Sequence, residues 1–311
     1  SSDDQLKQIA EDVLKYARKK GASGAAVGIS EGSGLSVSVH KGEIETIEKN
    51  QDKGIGVTIF VGKKRGNATT SDFSKESLKQ TVEAAYNIAT FTSEDDAAGL
   101  PDTDMLDRHP RDLGLYYRWP INTEEAVELA KRCEAAAFET DKRISNTEGA
   151  SVNVSHSHFI SANSDGFIGG YPYSSHSFSV APIAGSGGNM QRDYWYTSSR
   201  NPAELKSPEE VGRYAAERAL ARLNARSIGT RKCPVLFEAP LAIGLLNSFV
   251  YGVSGGALYR KSSFLLDSMD KQVFPDHVGL LEDPHVIGAS GSAPFDDEGV
   301  KTSRRQIVEN G

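Results

Sequence analysis

The chain has 311 residues, 38% hydrophobic and 25% charged, with a formal net charge of −7. This length and balance describe globular domains with real cores and exclude a disordered chain. No apolar run is long enough to cross a bilayer, and the acidic balance argues against general affinity for nucleic-acid phosphates.

The N-terminus runs directly into an amphipathic pattern, with no basic stretch followed by an apolar core, so no signal peptide is read. A helix is predicted over residues 4–20, with Leu6, Ile9, Val13 and Ala17 at helical spacing and Gly21 just past its end. Strands follow. Leu35, Val37 and Val39 alternate with Ser36, Ser38 and His40, Lys41-Gly42 can turn the chain, and Ile55, Val57, Ile59 and Val61 alternate again. Lys63, Lys64 and Arg65, between Gly62 and Gly66, read as a solvated hairpin tip. Ser74 caps a second helix, with Phe73 and Leu78 as a hydrophobic staple and Val82 and Tyr86 continuing the buried stripe. Residues 92–120, rich in Asp, Pro and Gly, read as a connection between domains.

Thr123 caps a third helix running to about residue 141, with Ala126, Leu129, Ala130, Cys133 and Ala137 inward. Strands are predicted around residues 151–159, 166–173 and 176–181, with turn signals at 163–166 and 185–188. Ser207-Pro208-Glu209-Glu210 is the strongest helix start in the chain. Residues 233–238 read as a buried strand, and Pro240 opens an apolar helix that stops in glycine-rich residues 252–256. The final Asn-Gly is a hairpin signal without a return strand, so the last unit reads as incomplete and the chain as C-terminally truncated. The fold class is α+β: helices on mainly antiparallel sheets, with units at 1–115, 116–230 and 231–311, the last β-rich. Cys133 and Cys233, in no CxxC pair, fit reduced thiols of a cytoplasmic protein.

Several constellations could carry chemistry. His156 and His158 share one face of a predicted strand, with His176 on a neighbour. They could hold a metal or decorate a polar face among Ser155, Ser157, Ser175 and Ser177. Gly252-Val-Ser254-Gly-Gly256 fits G-x-S-x-G formally, but a helix precedes it and no helical pattern follows, so it reads as a glycine-rich helix exit. Arg192-Asp193-Tyr194 and Tyr259-Arg260-Lys261 mix charges and aromatics after glycine-rich loops. They could hold a peptide or a partner subunit, or form a structural ion pair.

Five segments in this order carry a resemblance: 34–48 (GLSVSVHKGEIETIE), 142–149 (KRISNTEG), 191–197 (QRDYWYT), 259–267 (YRKSSFLLD) and 294–302 (PFDDEGVKT). Together they resemble the PmbA, or TldE, branch of the TldD/PmbA family, once called modulators of DNA gyrase. The resemblance implies a two-subunit peptidase that trims or degrades peptides and small unfolded proteins, with zinc carried by a TldD-like subunit on an H-E-x-x-x-H helix. Aligned without gaps from Gly256, the two histidine positions fall here on Asn247 and Gly252, and the glutamate on Ser248. A catalytic zinc needs about three imidazole, carboxylate or thiolate ligands and an open position for water. These residues supply none, and between residues 238 and 281 the sole histidine is His277, in loop text.

The expectation is therefore a noncatalytic subunit with no catalytic or metal-binding residue of its own. The TldD-like partner would bring zinc, and Arg192, Asp193, Tyr194, Tyr259, Arg260 and Lys261 would be the binding candidates. A homodimer is an alternative assembly. A nonenzymatic peptide-binding or gyrase-associated regulator is the alternative function, and no membrane or nucleic-acid partner is expected.

Overall fold

A computed structural model describes residues 1–311. The chain divides into two compact units. One comprises Ser1–Asn224 with Asp283–Ser303, the other Ala225–Glu282 with Arg304–Gly311.

The first unit opens with α1 (Asp3–Lys20), capped by a reciprocal Ser2–Gln5 box and ended by Gly21 at φ 105°. β1 (Gly24–His40) and β2 (Glu43–Val61) then form a long hairpin. Its turn places Lys41 and Gly42 at φ 50° and 78°, the left-handed pair that suits the twist of flanking strands. β3 (Lys64–Thr70) and α2 (Lys75–Phe91) follow. At the hairpin tip, the Lys63 and Lys64 ammonium groups donate to the carbonyls of Ala98 and Thr90. α3 (Thr123–Thr140), β4 (Ile144–Asn163), β5 (Ile168–Ala184), β6 (Gln191–Arg192), β7 (Trp195–Ser199) and α4 (Pro208–Ala221) complete the order. Asn122 caps α3 by accepting from the Glu125 amide at 2.8 Å. The cap is thus one residue earlier than expected, because Thr123 already lies inside the helix.

All seven strands form one antiparallel sheet in the order β3-β2-β1-β4-β5-β6, with β7 also on β5. Pairing of β1 with β4 carries the sheet through both the first and the central stretch of sequence. Alternate residues of β1 face the helices. Ala25, Val27 and Ile29 enter a core with α1 and α2 residues such as Leu6, Val13, Leu78 and Val82. Val37 and Val39 enter a second core with Ala130, Cys133, Val152, Phe178 and Ala215. Segment 92–122 crosses mostly without regular structure but is anchored by buried Leu106, Leu113 and Leu115.

The PFDDEGVKT segment returns to this unit. Phe295 packs with Leu106 and Phe167. Gly299, at φ 85°, sits where a Cβ would come within 2.6 Å of the Phe167 ring, so only glycine fits. The motif is a structural clasp.

The second unit holds α5 (Ala239–Gly252), α6 (Gly255–Tyr259) and a ribbon of β8 (Leu280–Glu282) with β9 (Arg305–Val308). Its core is small: Phe249, Leu265 and Val308, with Val253, Phe274 and Leu280 packed against them. The strand expected at 233–238 is absent. Leu236 is 96% exposed, and no strand pairs with the segment. An apolar run forms a strand only where a neighbour accepts its backbone bonds, and Pro234 already removes one donor. α5 is apolar on every side yet leaves Leu241, Leu245, Val250 and Tyr251 exposed. No helix is long and apolar enough to cross a membrane.

Candidate functional site

Pro240 in the first turn starts α5, and the helix carries the three positions that the resemblance assigns to zinc. Asn247 and Ser248 are exposed, while Gly252 is buried. The Ser248 hydroxyl donates to the Gly244 carbonyl at 3.0 Å. A Cβ on Gly252 would come within 3.0 Å of Leu265, and the Gly252 carbonyl accepts from the Ser263 hydroxyl. These are helix-surface and packing roles. Asparagine, serine and glycine give no imidazole, carboxylate or thiolate, so the residues do not fit zinc. Nowhere in the chain do three or more His, Cys, Asp or Glu side chains gather as a metal site would require.

Ser254 corrects one expectation. A short helix does follow it, and its hydroxyl caps that helix by accepting from the Ala257 amide while donating to the Tyr251 carbonyl at 2.9 Å. Its oxygen serves the fold as a cap.

Of the binding candidates, Arg192, Asp193 and Tyr194 lie in the first unit, and Tyr259, Arg260 and Lys261 in the second. The Arg192 guanidinium donates to both Glu148 oxygens at 2.8 Å, and both side chains are exposed. The Asp193 carboxylate lies 3.4 Å from Arg218 Nε and 3.7 Å from Arg222 Nη1. Arg218 in turn lies over the Trp195 and Tyr214 rings, 5.0 and 5.9 Å from their centroids. Asp193 thus ties the strand end to α4, whereas Arg192 and Tyr194 line an open recess of about 380 Å³. At the end of α6, Tyr259 is 69% exposed, and Lys261 takes φ 55°.

The histidines lie on the face opposite the serines, because neighbours in a strand alternate. His156 and His176 pack 5.0 Å apart between centroids, with Tyr116 and Trp119 of the crossing segment against them. His156 Nε2 accepts from the Trp119 amide at 3.0 Å. His176 Nε2 donates to the Tyr117 carbonyl at 2.9 Å, since a carbonyl can only accept. Burial, then neighbouring His176 and Arg118, hold the His156 pKa below the usual imidazole value. Burial lowers that of His176, partly offset by the Tyr117 hydrogen bond. His158 pairs with Asp3 at 3.1 Å. The His156 and His176 rings fasten backbone of the crossing segment.

Sequence reasoning missed a buried carboxylate. Glu134, 2% exposed on α3, accepts from the Lys41 amide at 3.0 Å, the Gly42 amide at 2.7 Å and the Thr147 hydroxyl at 2.5 Å. It joins the β1–β2 turn to the KRISNTEG segment, where Gly149 at φ 103° leaves no space for a Cβ against the Val39 carbonyl. The available signal was a glutamate inside the stripe of Ala126, Ala130, Cys133 and Ala137.

The helix-free face is the polar one expected around Ser155, Ser157, Ser175 and Ser177, but without the histidines. Its strands present small polar residues: Ser36 and Ser38, then Ser151, Asn153, Ser155 and Ser157, then Ser175, Ser177 and Ser179. Beside β2 this face forms an open trough of about 460 Å³, lined by Gly32, Gly34, Glu48, Asn50, Asp52, Asn153 and Tyr173 among others. A Cβ on Gly34 would come within 2.3 Å of Asn50 Oδ1, so this glycine makes room for Asn50 against the sheet.

Family models described as PmbA/TldA metallopeptidase domain 1, central domain and C-terminal domain match residues 25–89, 116–223 and 230–311. The chain belongs to the PmbA/TldD metallopeptidase family. It is 42% identical over 306 residues to the metalloprotease PmbA of Escherichia coli O157:H7, covering 98% of this chain and 68% of that protein. It is also 42% identical to the PmbA homologue of Haemophilus influenzae, covering 100% of this chain and 69% of the relative. Among solved structures, a proposed modulator of DNA gyrase from Bacteroides thetaiotaomicron superposes with a TM-score of 0.93 at 26% identity, covering 100% of this chain and 71% of that one. TldE from Thermococcus kodakarensis shares the fold, with a TM-score of 0.74 at 19% identity over 97% of this chain and 68% of that one.

Proposed function

We propose that this chain is a metal-free, PmbA/TldE-type subunit of a heteromeric zinc peptidase acting on peptides and small unfolded proteins. A TldD-like partner would hold the zinc and the catalytic carboxylate, with cytoplasmic residence as part of the proposal. One observation carries the reading: on α5, positions 247, 248 and 252 offer an amide, a hydroxyl and a hydrogen. With no ligand pair there, this chain's residues bind and orient; they do not activate water. The exposed apolar surface of α5 supports the reading, because such a surface marks an interaction site, and in the proposed complex other polypeptide covers it. Tyr259, Arg260 and Lys261, exposed at the end of α6, are proposed as partner or substrate contacts, as are Arg192 and Tyr194 at their recess. Asp193 is proposed to position these contacts through Arg218.

The test is cleavage of an unstructured peptide by a TldD-like partner with and without this chain. The reading expects a large increase on mixing, abolished by chelator. Cleavage no greater than that of the partner alone would refute it. The name of the Bacteroides relative favours one second reading, regulation of DNA gyrase, which instead predicts altered supercoiling by gyrase on addition of the purified chain.

A further inference from the structure

The register of the sheet leaves one long strand edge without a neighbour. β2 pairs with β1 over nearly its whole length, but β3 covers only its last seven residues, Ile55 to Val61. Residues 43–53 are all exposed. Their outward backbone donors and acceptors are a template for another strand. Side chains here segregate by charge. Glu48, Asn50 and Asp52 lie opposite Ser36, Gly34 and Gly32 and line the trough, whereas Ile47, Lys49 and Gln51 alternate onto the other face, and Lys53, opposite Glu31, borders the trough at its end. Lys53 already lies 4.8 Å from the centre of the Phe73 ring. An added strand would therefore meet two carboxylates, four residues apart, on its trough side.

We propose that this edge binds an extended peptide as an extra antiparallel strand, with Lys or Arg at positions i and i+4 directed at Glu48 and Asp52. Backbone pairing supplies affinity without reading sequence, and the carboxylates select for basic side chains. The small-residue floor gives long side chains room to lie flat. The inference rests on the reading of the chain as a peptide-handling subunit, but it concerns binding by this chain alone.

The experiment is fluorescence anisotropy of the purified chain with a labelled Ser/Thr nonapeptide carrying lysines at positions three and seven, together with amide exchange. The expected results are saturable binding, new amide protection confined to residues 43–53, and loss of binding when alternate peptide amides are N-methylated along one edge. The Glu48→Lys/Asp52→Lys variant should bind about tenfold more weakly, since two cross-strand pairs turn repulsive. Its unchanged circular dichroism and melting would show that these exposed substitutions leave the fold intact. Affinity indifferent to N-methylation or to charge reversal would overturn the proposal. So would protection elsewhere, or an edge already occupied by a second copy, seen as a dimer that the variant dissolves. Failure of the partner's cleavage assay would leave this result standing.

Discussion

Replacing Glu134 by alanine removes one carboxylate that accepts from the Lys41 amide, the Gly42 amide and the Thr147 hydroxyl at once. A hydrogen bond to a charged group contributes about 1.5–3 kcal/mol net, and desolvation of the buried charge offsets part of that sum. The expected loss is about 3–4 kcal/mol for Glu134→Ala and about 1–2 kcal/mol for Glu134→Gln, which keeps one acceptor oxygen. Urea unfolding followed by tryptophan fluorescence would measure it, because Trp119 and Trp195 both pack against the core that contains α3. A lower midpoint at constant slope is the expected form. Amide exchange at Lys41 and Gly42 should accelerate in the same variants. Glu134→Ala within about 0.5 kcal/mol of the parent, with those amides still protected, would refute the assignment of Glu134 as the anchor of the turn.

Lowered pKa values at His156 and His176 mean that the folded unit binds fewer protons than the unfolded chain. Their contribution is complete above the unfolded imidazole value near 6.5 and is lost as pH falls below it towards the depressed folded values. Melting temperature should therefore drop between pH 7 and 5, and His176→Gln should flatten that slope; an equal slope in the variant would contradict the role. The Cys133 thiol is pushed up to about 12 by burial, then by the charges of Glu209 and Glu134. Iodoacetamide on the native chain should thus label exposed Cys233 alone, and rapid labelling of Cys133 by mass spectrometry would count against the packing of α3. Gly212 lets α4 approach α3 so closely that a Cβ would lie 2.2 Å from the Cys133 carbonyl oxygen. Gly212→Ala should cost about 1–3 kcal/mol by overpacking, measured by the same urea titration.

Helix starts were the most legible features, because the signal is local: Ser74 and Ser207 accept from the amides three residues on, as their spacing implied. The strands run longer than their apolar alternation suggested. β1 continues through Glu31-Gly-Ser-Gly34, where one face is bare of helices and hydrophobic residues have nothing to cover. Residues 233–238 failed in the opposite sense: the run is apolar, but no strand pairs with it. Charges and aromatics marked Arg192, Asp193 and Tyr194 from the sequence. Their partners Glu148, Arg218 and Arg222 are distant along the chain and come within reach only once β4, β5, β6 and α4 pack. The trough and the open edge of β2 depend entirely on register, which no local pattern reveals.

Metal content is the most direct test of the proposed subunit role. The purified chain, a TldD-like partner and their mixture would each be dialysed against zinc-free buffer and measured by elemental analysis. The account predicts zinc in the partner and in the mixture at one ion per partner, and none above background in this chain. About one zinc retained per molecule of this chain alone, lost when a histidine or carboxylate of this chain is replaced, would contradict it.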